Sequence, residues 1–394
     1  MDPFPLPPLA LYIHLPWCAS KCPYCDFHSR VEEVVPQQRY IAALLQDLRY
    51  WRARLGNDPR PLDSLFLGGG TPSRFAPDAI AELLSGIHAI WPLKPGAEIT
   101  LEANPESLLE HTAAAYKQAG ITRLSVGIQA LDDARLRFLE RPHDAAMAHT
   151  ALQSIAEAGF ASWGLDLIYA TPGQSLDGWF AELSQALAYQ PPHLSAYALT
   201  IEPGTRFYEQ VGQGAWSAME EGAQAQFFVE TRHFLATEGR PAYEISNFAA
   251  PGQGCRHNLN TWRFGDYLGL GAAAHGKISH WDGARLRVTR TAVRADAAAY
   301  MAHMERAGAP LLNRDVVIGT DEAADECVIL GLRMGEGVAL AAYRALCGED
   351  LIVKRGGEIA RYGELGLLER SETHVRLSEG GFLHADGVIS ALMD

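Results

Sequence analysis

Hydrophobic and polar positions along the chain fall into short β-rich runs, each followed by a stretch of helical period. The first run, "ALYIHL" (10–15), precedes "PQQRYIAALLQDLRYWRARL", where Tyr40, Ile41, Leu44, Leu45, Leu48 and Trp51 form one apolar stripe behind Pro36. That spacing predicts an amphipathic helix with proline at its start. "SLFLGGG" (64–70), "EITLEAN" (98–104), "RLSVGIQ" (123–129), "GLDLIYATPG" (164–173) and "HLSAYALT" (193–200) continue the alternation. The helical stretches between them stop at Gly120 and Gly159, as helices capped by glycine do. Strands alternating with helices at this spacing predict a parallel sheet with helical crossovers. Six units rather than eight predict an α/β fold of the partial (β/α)6 TIM-type barrel kind, with a doubly wound sheet as the alternative. Polar or glycine residues end nearly every strand: Gly68–Gly70, Glu102, Gln129, Asp166 and Thr200. In βα-barrels the active site is built at that end.

The period changes after about residue 290. An alanine-rich helix near 295–306 is followed by a helix in "DEAADECVILGLRMG", and the chain finishes as helix end, short hairpin, helix. The expected division is a barrel domain over 1–290 and a small α+β, winged-helix-like domain over 291–394. Winged helices often bind DNA, but residues 296–394 hold 17 Asp+Glu against 9 Lys+Arg, a net of −8. A module that neutralises phosphates is basic, so a structural or lid role is expected and no nucleic-acid partner.

Composition narrows the class further. Of 394 residues, 48% are hydrophobic and 20% charged, as in ordinary globular proteins. A net charge of −14 argues against general binding to nucleic acid or anionic membranes. No apolar run approaches the ~20 residues that span a bilayer. "MDPFPLPPLA" lacks the basic region of a signal peptide, so a cytoplasmic location is expected. Six cysteines in so long a chain do not make a disulfide framework. Cys255, Cys327 and Cys347 are scattered and read as core residues, whereas Cys18, Cys22 and Cys25 lie within eight positions.

Three chemistries compete for that trio. A structural zinc wants four ligands, and His28 would have to supply the last. A redox dithiol needs only two cysteines. A [4Fe–4S] cluster held by three thiolates leaves one iron with an open position, where a small molecule binds by an amine and a carboxylate. The cysteines directly follow the first strand, at the catalytic end of a barrel, which favours the cluster. "GGGTP" (68–72) lacks the lysine of a P-loop; its glycines suit a tight turn and close approach of backbone to a ligand. Glu102, Gln129 and Asp166, on successive strands aimed at one mouth, form a constellation.

The C-x3-C-x2-C spacing resembles that of the radical S-adenosylmethionine (SAM) superfamily, in which SAM chelates the open iron through its methionyl amine and carboxylate. The resemblance gives "GGGTP" the amine. It also makes Arg141 in "LERPHD" suited to a bidentate grip on the carboxylate, and places Tyr24 against the adenine. "YIHLPWCASKCPYCDF", "TLEANPES", "LSVGIQALDD", "LDLIYATPGQ", "HLSAYALTIEPGT" and "HNLNTWRFGDYLGLGAAAHG" resemble, more closely, the oxygen-independent coproporphyrinogen III dehydrogenase family. That family joins true dehydrogenases of haem biosynthesis to a sister branch of haem chaperones. The resemblance implies cluster ligands Cys18, Cys22 and Cys25, and SAM contacts at Tyr12, Tyr24, Gly69, Gly70, Thr71, Glu102, Gln129, Arg141 and Asp166, with Thr200 a weaker match.

Two departures from the dehydrogenases point to the chaperone branch. Dehydrogenases carry a further cysteine two residues after the third ligand, where this chain has Phe27, and a long segment before the cluster, whereas Cys18 stands near the first residue. "HNLNTW" (257–262) is similar to the chaperones' H-N-x-x-Y-W motif, which makes His257 a haem ligand by resemblance; Thr261 replaces the tyrosine, and Cys255 is a second candidate iron ligand. The implied protein binds haem and passes it to membrane haemoproteins such as respiratory cytochromes. It would do so as a monomer or cluster-dependent dimer, peripheral at the membrane during delivery. Oxidative decarboxylation of coproporphyrinogen III propionates is the alternative.

Overall fold

The structure is a computed structural model that describes residues 5–56 and 58–393, so the first four residues of the start segment read above lie outside it. Six parallel strands run in chain order: β1 (Leu9–Leu15), β2 (Leu62–Gly69), β3 (Leu93–Ala103), β4 (Arg123–Gln129), β5 (Ser162–Tyr169) and β6 (His193–Ala198). Between them lie α1 (Gln37–Arg54), α2 (Pro77–Ile90), α3 (Ala113–Gln118), α4 (Ala145–Ala158) and α5 (Leu176–Leu187). Because neighbours in the sheet are neighbours in sequence, the order never reverses. Right-handed crossovers then place every helix on one face, the geometry of a barrel wall rather than of a doubly wound sheet.

Alternation along β1 shows how sequence sets the two faces. Leu9, Leu11, Ile13 and Leu15 are fully buried and join the core beneath the α1 residues Tyr40, Ile41, Leu44 and Leu48. Tyr12 and His14 point to the other face, the barrel interior. Helix ends follow their caps: the Asp144 side chain accepts from Met147 N, and Gly159 closes α4 in the left-handed conformation.

The sheet is larger than the sequence suggests. Its order places β7 (Asn247–Ala249) antiparallel beside β6, and β8 (Asp266–Leu270) parallel to β1 on the other side. An antiparallel meander of β9 (His275–Trp281), β10 (Leu286–Val293) and β11 (Leu312–Val317) extends that edge, and the eleven strands remain open. The division expected at 290/291 therefore cuts through β10. Tyr300, Met301 and Met304 of α7 (Ala297–Ala307) belong to the barrel core, so the period changes where parallel units give way to a meander. The small domain begins after β11. It comprises α8 (Thr320–Gly331), α9 (Leu340–Cys347), α10 (Leu351–Glu364), the hairpin Leu368–Arg370/His374–Leu377 paired with Val338–Ala339, and α11 (Ala385–Met393).

A second apolar cluster joins this domain to the barrel through Phe264, Leu286 and Val288. Ion pairs Arg232–Glu379, Arg263–Glu336 and Arg290–Glu326 cross the same junction. Arg263 grips Glu336 through two bonds of 2.6 and 2.8 Å, yet both side chains are about half exposed. Arg263→Ala is expected to cost under about 1 kcal/mol, visible as a denaturation midpoint close to that of the parent.

Candidate cofactor site at the barrel mouth

The loop leaving β1 carries the cysteines around a turn in which Cys25 N donates to Cys22 O (3.2 Å). All three thiols are free and partly buried. They line one pocket together with Tyr24, Gly69, Gly70, Thr71, Glu102, Gln129, Arg141 and Asp166. Eleven residues that the sequence singled out thus converge at the C-terminal ends of β1 to β5.

The glycine turn after β2 is lashed to the cysteine loop. Gly70 N donates to Leu15 O (2.9 Å) and Thr71 N to Trp17 O (2.8 Å). A Cβ on Gly70 would sit 2.8 Å from the N, C and O atoms of Trp17. Gly69, at φ +118°, would press a Cβ within 2.7 Å of the His14 ring. No side chain fits between these two backbones.

Glu102 Oε2 accepts from Gly69 N (3.1 Å). Burial, and then the Asp166 carboxylate across the mouth, push the Glu102 pKa up to about 7. Burial likewise raises that of Asp166, against bonds to Ser195 and Ser125 and the nearby Arg123 and Arg141 guanidinium charges. Arg141 reaches across from the segment after β4. Its Nη2 donates to Asn104 Oδ1 (2.8 Å) and Gly127 O (3.1 Å), while Nη1 faces Cys22 Sγ (3.3 Å) and Tyr24 OH (3.4 Å). Its Nε is buried with no partner. Burial opposes the Arg141 charge, but Tyr24, Cys22 and Glu106 around it hold the pKa above its usual value. Gln129 is turned into the mouth at φ +65°, where the β4–β5 register slips.

Asn104 is the residue that sequence reading passed over. Its Nδ2 donates to Thr71 Oγ1 (3.1 Å) while Oδ1 accepts from Arg141, so it ties the glycine turn to the guanidinium. Its signal was present: it lies two residues after Glu102, which puts both on one face of an extended chain. Tyr12 and Thr200 do not line the pocket. Tyr12 stacks on Phe66 and meets His14 Nδ1 at 3.0 Å, inside the barrel.

His257 is placed apart from the mouth. It sits on α6 (Arg256–Trp262), whose first N–H groups meet Glu98 Oε1 at 2.8 Å from Arg256 and 3.4 Å from His257. The imidazole is enclosed against Phe66 and Tyr12, with Nδ1 3.3 Å from Ser64 Oγ near the start of β2. Burial lowers its pKa to about 3. Cys255 is fully buried beside Glu98, and burial pushes its thiol up to about 12, which disfavours a thiolate there. Cys327 and Cys347 are buried in the small-domain core.

Among the described residues, no three Cys, His, Asp or Glu side chains converge on a point that a single ion would occupy. The three thiols line the mouth together, and three thiolates are the ligand set of a [4Fe–4S] cluster with one open iron, whereas a structural zinc takes four ligands. Bare glycine backbone, two raised carboxylates and an orphaned Arg141 N–H beside those thiols fit a zwitterionic ligand next to the cluster.

Comparison with known proteins agrees with the geometry. Residues 12–182 match the Radical SAM superfamily, and residues 320–384 the HemN C-terminal domain. The chain is 42% identical over 287 residues to "Heme chaperone HemW" of Escherichia coli (strain K12), covering 73% of this chain and 74% of that one. It is 33% identical over 398 residues to "Heme chaperone HemW" of Mycobacterium tuberculosis (strain ATCC 25618 / H37Rv), covering 100% and 97%. The solved structure of "Coproporphyrinogen III oxidase (HemN)" from Escherichia coli superposes with a TM-score of 0.80 over 99% of this chain and 91% of that one; at 22% identity it speaks for the fold alone. The chain is a radical SAM protein and belongs to the HemW family. That superfamily implies a [4Fe–4S] cluster and SAM. No helix among the described residues is long and apolar enough to cross a membrane.

The raised Glu102 carries a pH signature. An acid whose pKa lies higher folded than unfolded loses stability as pH rises from its unfolded value of about 4.5 to about 7, because in that window the folded state still holds a proton that unfolding releases. A ligand ammonium arriving beside it favours the ionised form. The apparent affinity of the cluster-loaded protein for SAM is therefore expected to rise between pH 6 and pH 8, and Glu102→Gln to flatten that rise, as read by calorimetric titration.

Proposed function

We propose that the protein is a haem chaperone: it binds haem and hands it to membrane haemoproteins such as respiratory cytochromes. In this reading Cys18, Cys22 and Cys25 hold the cluster. Gly69, Gly70, Thr71, Glu102, Gln129, Arg141 and Asp166 cradle SAM, Tyr24 lies against its adenine, and Tyr12 supports the cradle from within. When bound, the cluster supplies an electron at the mouth; the chain's own groups orient the ligand's ammonium and carboxylate and keep bulk water from it.

The observation that carries the choice of function is Phe27. It lines the cofactor pocket and is exposed to solvent, at the position where the dehydrogenases have a further cysteine. Coproporphyrinogen III decarboxylation is the second reading, carried by the motifs that the chaperone and dehydrogenase branches share. The two part in an anaerobic turnover assay with SAM, a low-potential reductant and coproporphyrinogen III. The chaperone reading expects no protoporphyrinogen from protein whose cluster is spectroscopically intact and binds SAM; accumulation over many turnovers would overturn it.

His257 is proposed as an axial haem ligand. Its ring is enclosed, so ligation requires α6 to lift from the barrel. His257→Ala is expected to alter the Soret band of the haem complex and leave the cluster spectrum unchanged. An unaltered Soret band would remove the residue from the account.

A further inference from the structure

The two ends of α6 are held differently. At the C-terminal end Asn260 Nδ2 donates to Asp266 O (2.9 Å) and Gly265 N to Asn260 O (2.7 Å), which fixes the helix to β8. Arg263 adds its pair with Glu336 of the small domain. The N-terminal end, which carries His257, is received by β3. Glu98 Oε1 accepts from Arg256 N (2.8 Å) and His257 N (3.4 Å), with Cys255 Sγ at 3.5 Å. Arg256 Nη1 donates to Gly96 O (2.8 Å). Between the pairs Leu62–Leu93 and Ser64–Glu98, Lys94 to Ala97 of β3 face Asp63 alone, and Gly96 stands at φ +71°. A bulge of this kind re-aims the residues beside it, here a carbonyl and a carboxylate toward α6. The chain enters α6 through Pro251 and Gly252, both exposed, with Gly252 at φ +76°. The end that carries His257 can therefore swing while the other stays anchored.

Beneath the mouth lies a cation that the cofactor site does not use. Arg123 opens β4 and is 1% exposed. Among the described residues its guanidinium makes no hydrogen bond and no ion pair, and its Nε is buried without a partner. Buried charges are ordinarily paired. Burial opposes this one, and Cys255, Glu98, Tyr243 and Asp166 are the groups whose charges support it. Its Nη2 leans to β5, where a Cβ on Gly164 would stand 3.3 Å away. Thr100 pairs with Arg123 across β3 and β4, and Glu98 lies two residues before Thr100 on the same inner face, about 7 Å along the strand. Two long side chains span that separation.

We propose that Glu98 is a two-position latch on His257: it caps α6 in the closed position and pairs with Arg123 when the helix swings out. The inference rests on the haem reading above, which needs α6 to lift. Two backbone N–H bonds are given up for a charge-assisted pair that relieves an unpartnered guanidinium, so part of the cost of lifting is offset. Glu98 and Arg123 are positioning residues in this device; neither touches the iron.

The full chain, free of haem, is followed by hydrogen exchange at the α6 amides, and haemin association is followed by stopped-flow absorbance. Glu98→Ala removes the cap, and both exchange and association should quicken about tenfold, the loss of one charge-assisted contact. Arg123→Met removes the partner of the open position, and both should slow about tenfold. Arg123→Lys keeps a charge there and should restore much of the rate. In Glu98→Ala/Arg123→Met the second change has no carboxylate to act through, so the rates should match those of Glu98→Ala. Glu98 is only partly buried and methionine replaces an unpartnered charge with an apolar chain, so the variants are expected to fold, and a circular dichroism melt checks this. Exchange no faster than wild type in Glu98→Ala, or no slower in Arg123→Met, would overturn the latch, as would an Arg123 effect that persists without Glu98. Opposite shifts in exchange with unchanged haemin association would instead overturn the haem reading at His257 and leave the α6 switch standing.

Discussion

Cys22→Ala protein is expected to emerge from anaerobic reconstitution without a stable cluster, its iron content falling from about four per chain to under one. Three thiolates are the fewest that fix a cubane while leaving one iron open, and the described residues offer no substitute at the mouth. His28 is not among the residues that line the pocket with the three cysteines, and its ring centroid lies 6.3 Å from that of His14. Cys22 also faces Arg141 Nη1 at 3.3 Å, so its loss leaves that buried guanidinium with one contact fewer. SAM binding should fail together with the cluster, while melting followed by circular dichroism changes little, because the thiols lie outside the apolar cores. A stable cluster with full iron content in this variant would remove Cys22 from the ligand set.

Gly70→Ala has the second large expected effect, and a different cause. The added methyl would lie 2.8 Å from three backbone atoms of Trp17, and backbone cannot swing aside as a side chain does. Trp17 itself is fixed: its ring packs edge-on against Tyr40 at 4.7 Å, and its Nε1 donates to Glu32 Oε2 at 2.7 Å. Overpacking of this kind costs about 1–3 kcal/mol. The strain falls on the residue before Cys18 and on the bonds from Gly70 and Thr71 to the β1 end. Weakened SAM binding by about tenfold or more is expected in calorimetric titration, with a lower denaturation midpoint. Gly86→Ala is the control, because its Cβ would meet only the tip of the Leu45 side chain. It should leave SAM binding intact.

The mouth was legible because its residues are the ends of strands. Glycine runs, carboxylates and an amide at the C-terminal end of successive β-rich segments can only converge if those segments are parallel and adjacent, and the unbroken strand order makes them so. Asn104 was missed because a residue just before a short helix (Pro105–Glu110) resembles a cap, and it is one: its side chain and that of Ser107 form a capping box. The same amide nevertheless also binds Arg141 and Thr71.

The sheet's extension was harder to read. β7 has three residues, and β11, "LNRDVV", is exposed along nearly its whole length, so neither shows the burial alternation that marks a strand. β8 pairs with β1 in parallel across more than 250 residues of chain, a partnership that no local pattern encodes. The domain boundary was misplaced for the same reason, since an antiparallel edge reads like a new domain when the helical crossovers stop. The enclosure of His257 was equally hidden. Its motif sits on a short helix, and only the fold reveals that the imidazole turns inward while Arg256 and Leu259 turn out.

Haem delivery is tested by following transfer itself. Protein loaded with one haem is mixed with membrane vesicles from haem-starved cells, which carry haem-depleted cytochromes, and the two are separated by sedimentation. Cytochrome absorbance is expected to appear in the vesicles as haem leaves the protein, faster than from haem-loaded albumin. Haem that stays on the protein, or reaches the vesicles no faster than from albumin, would contradict it.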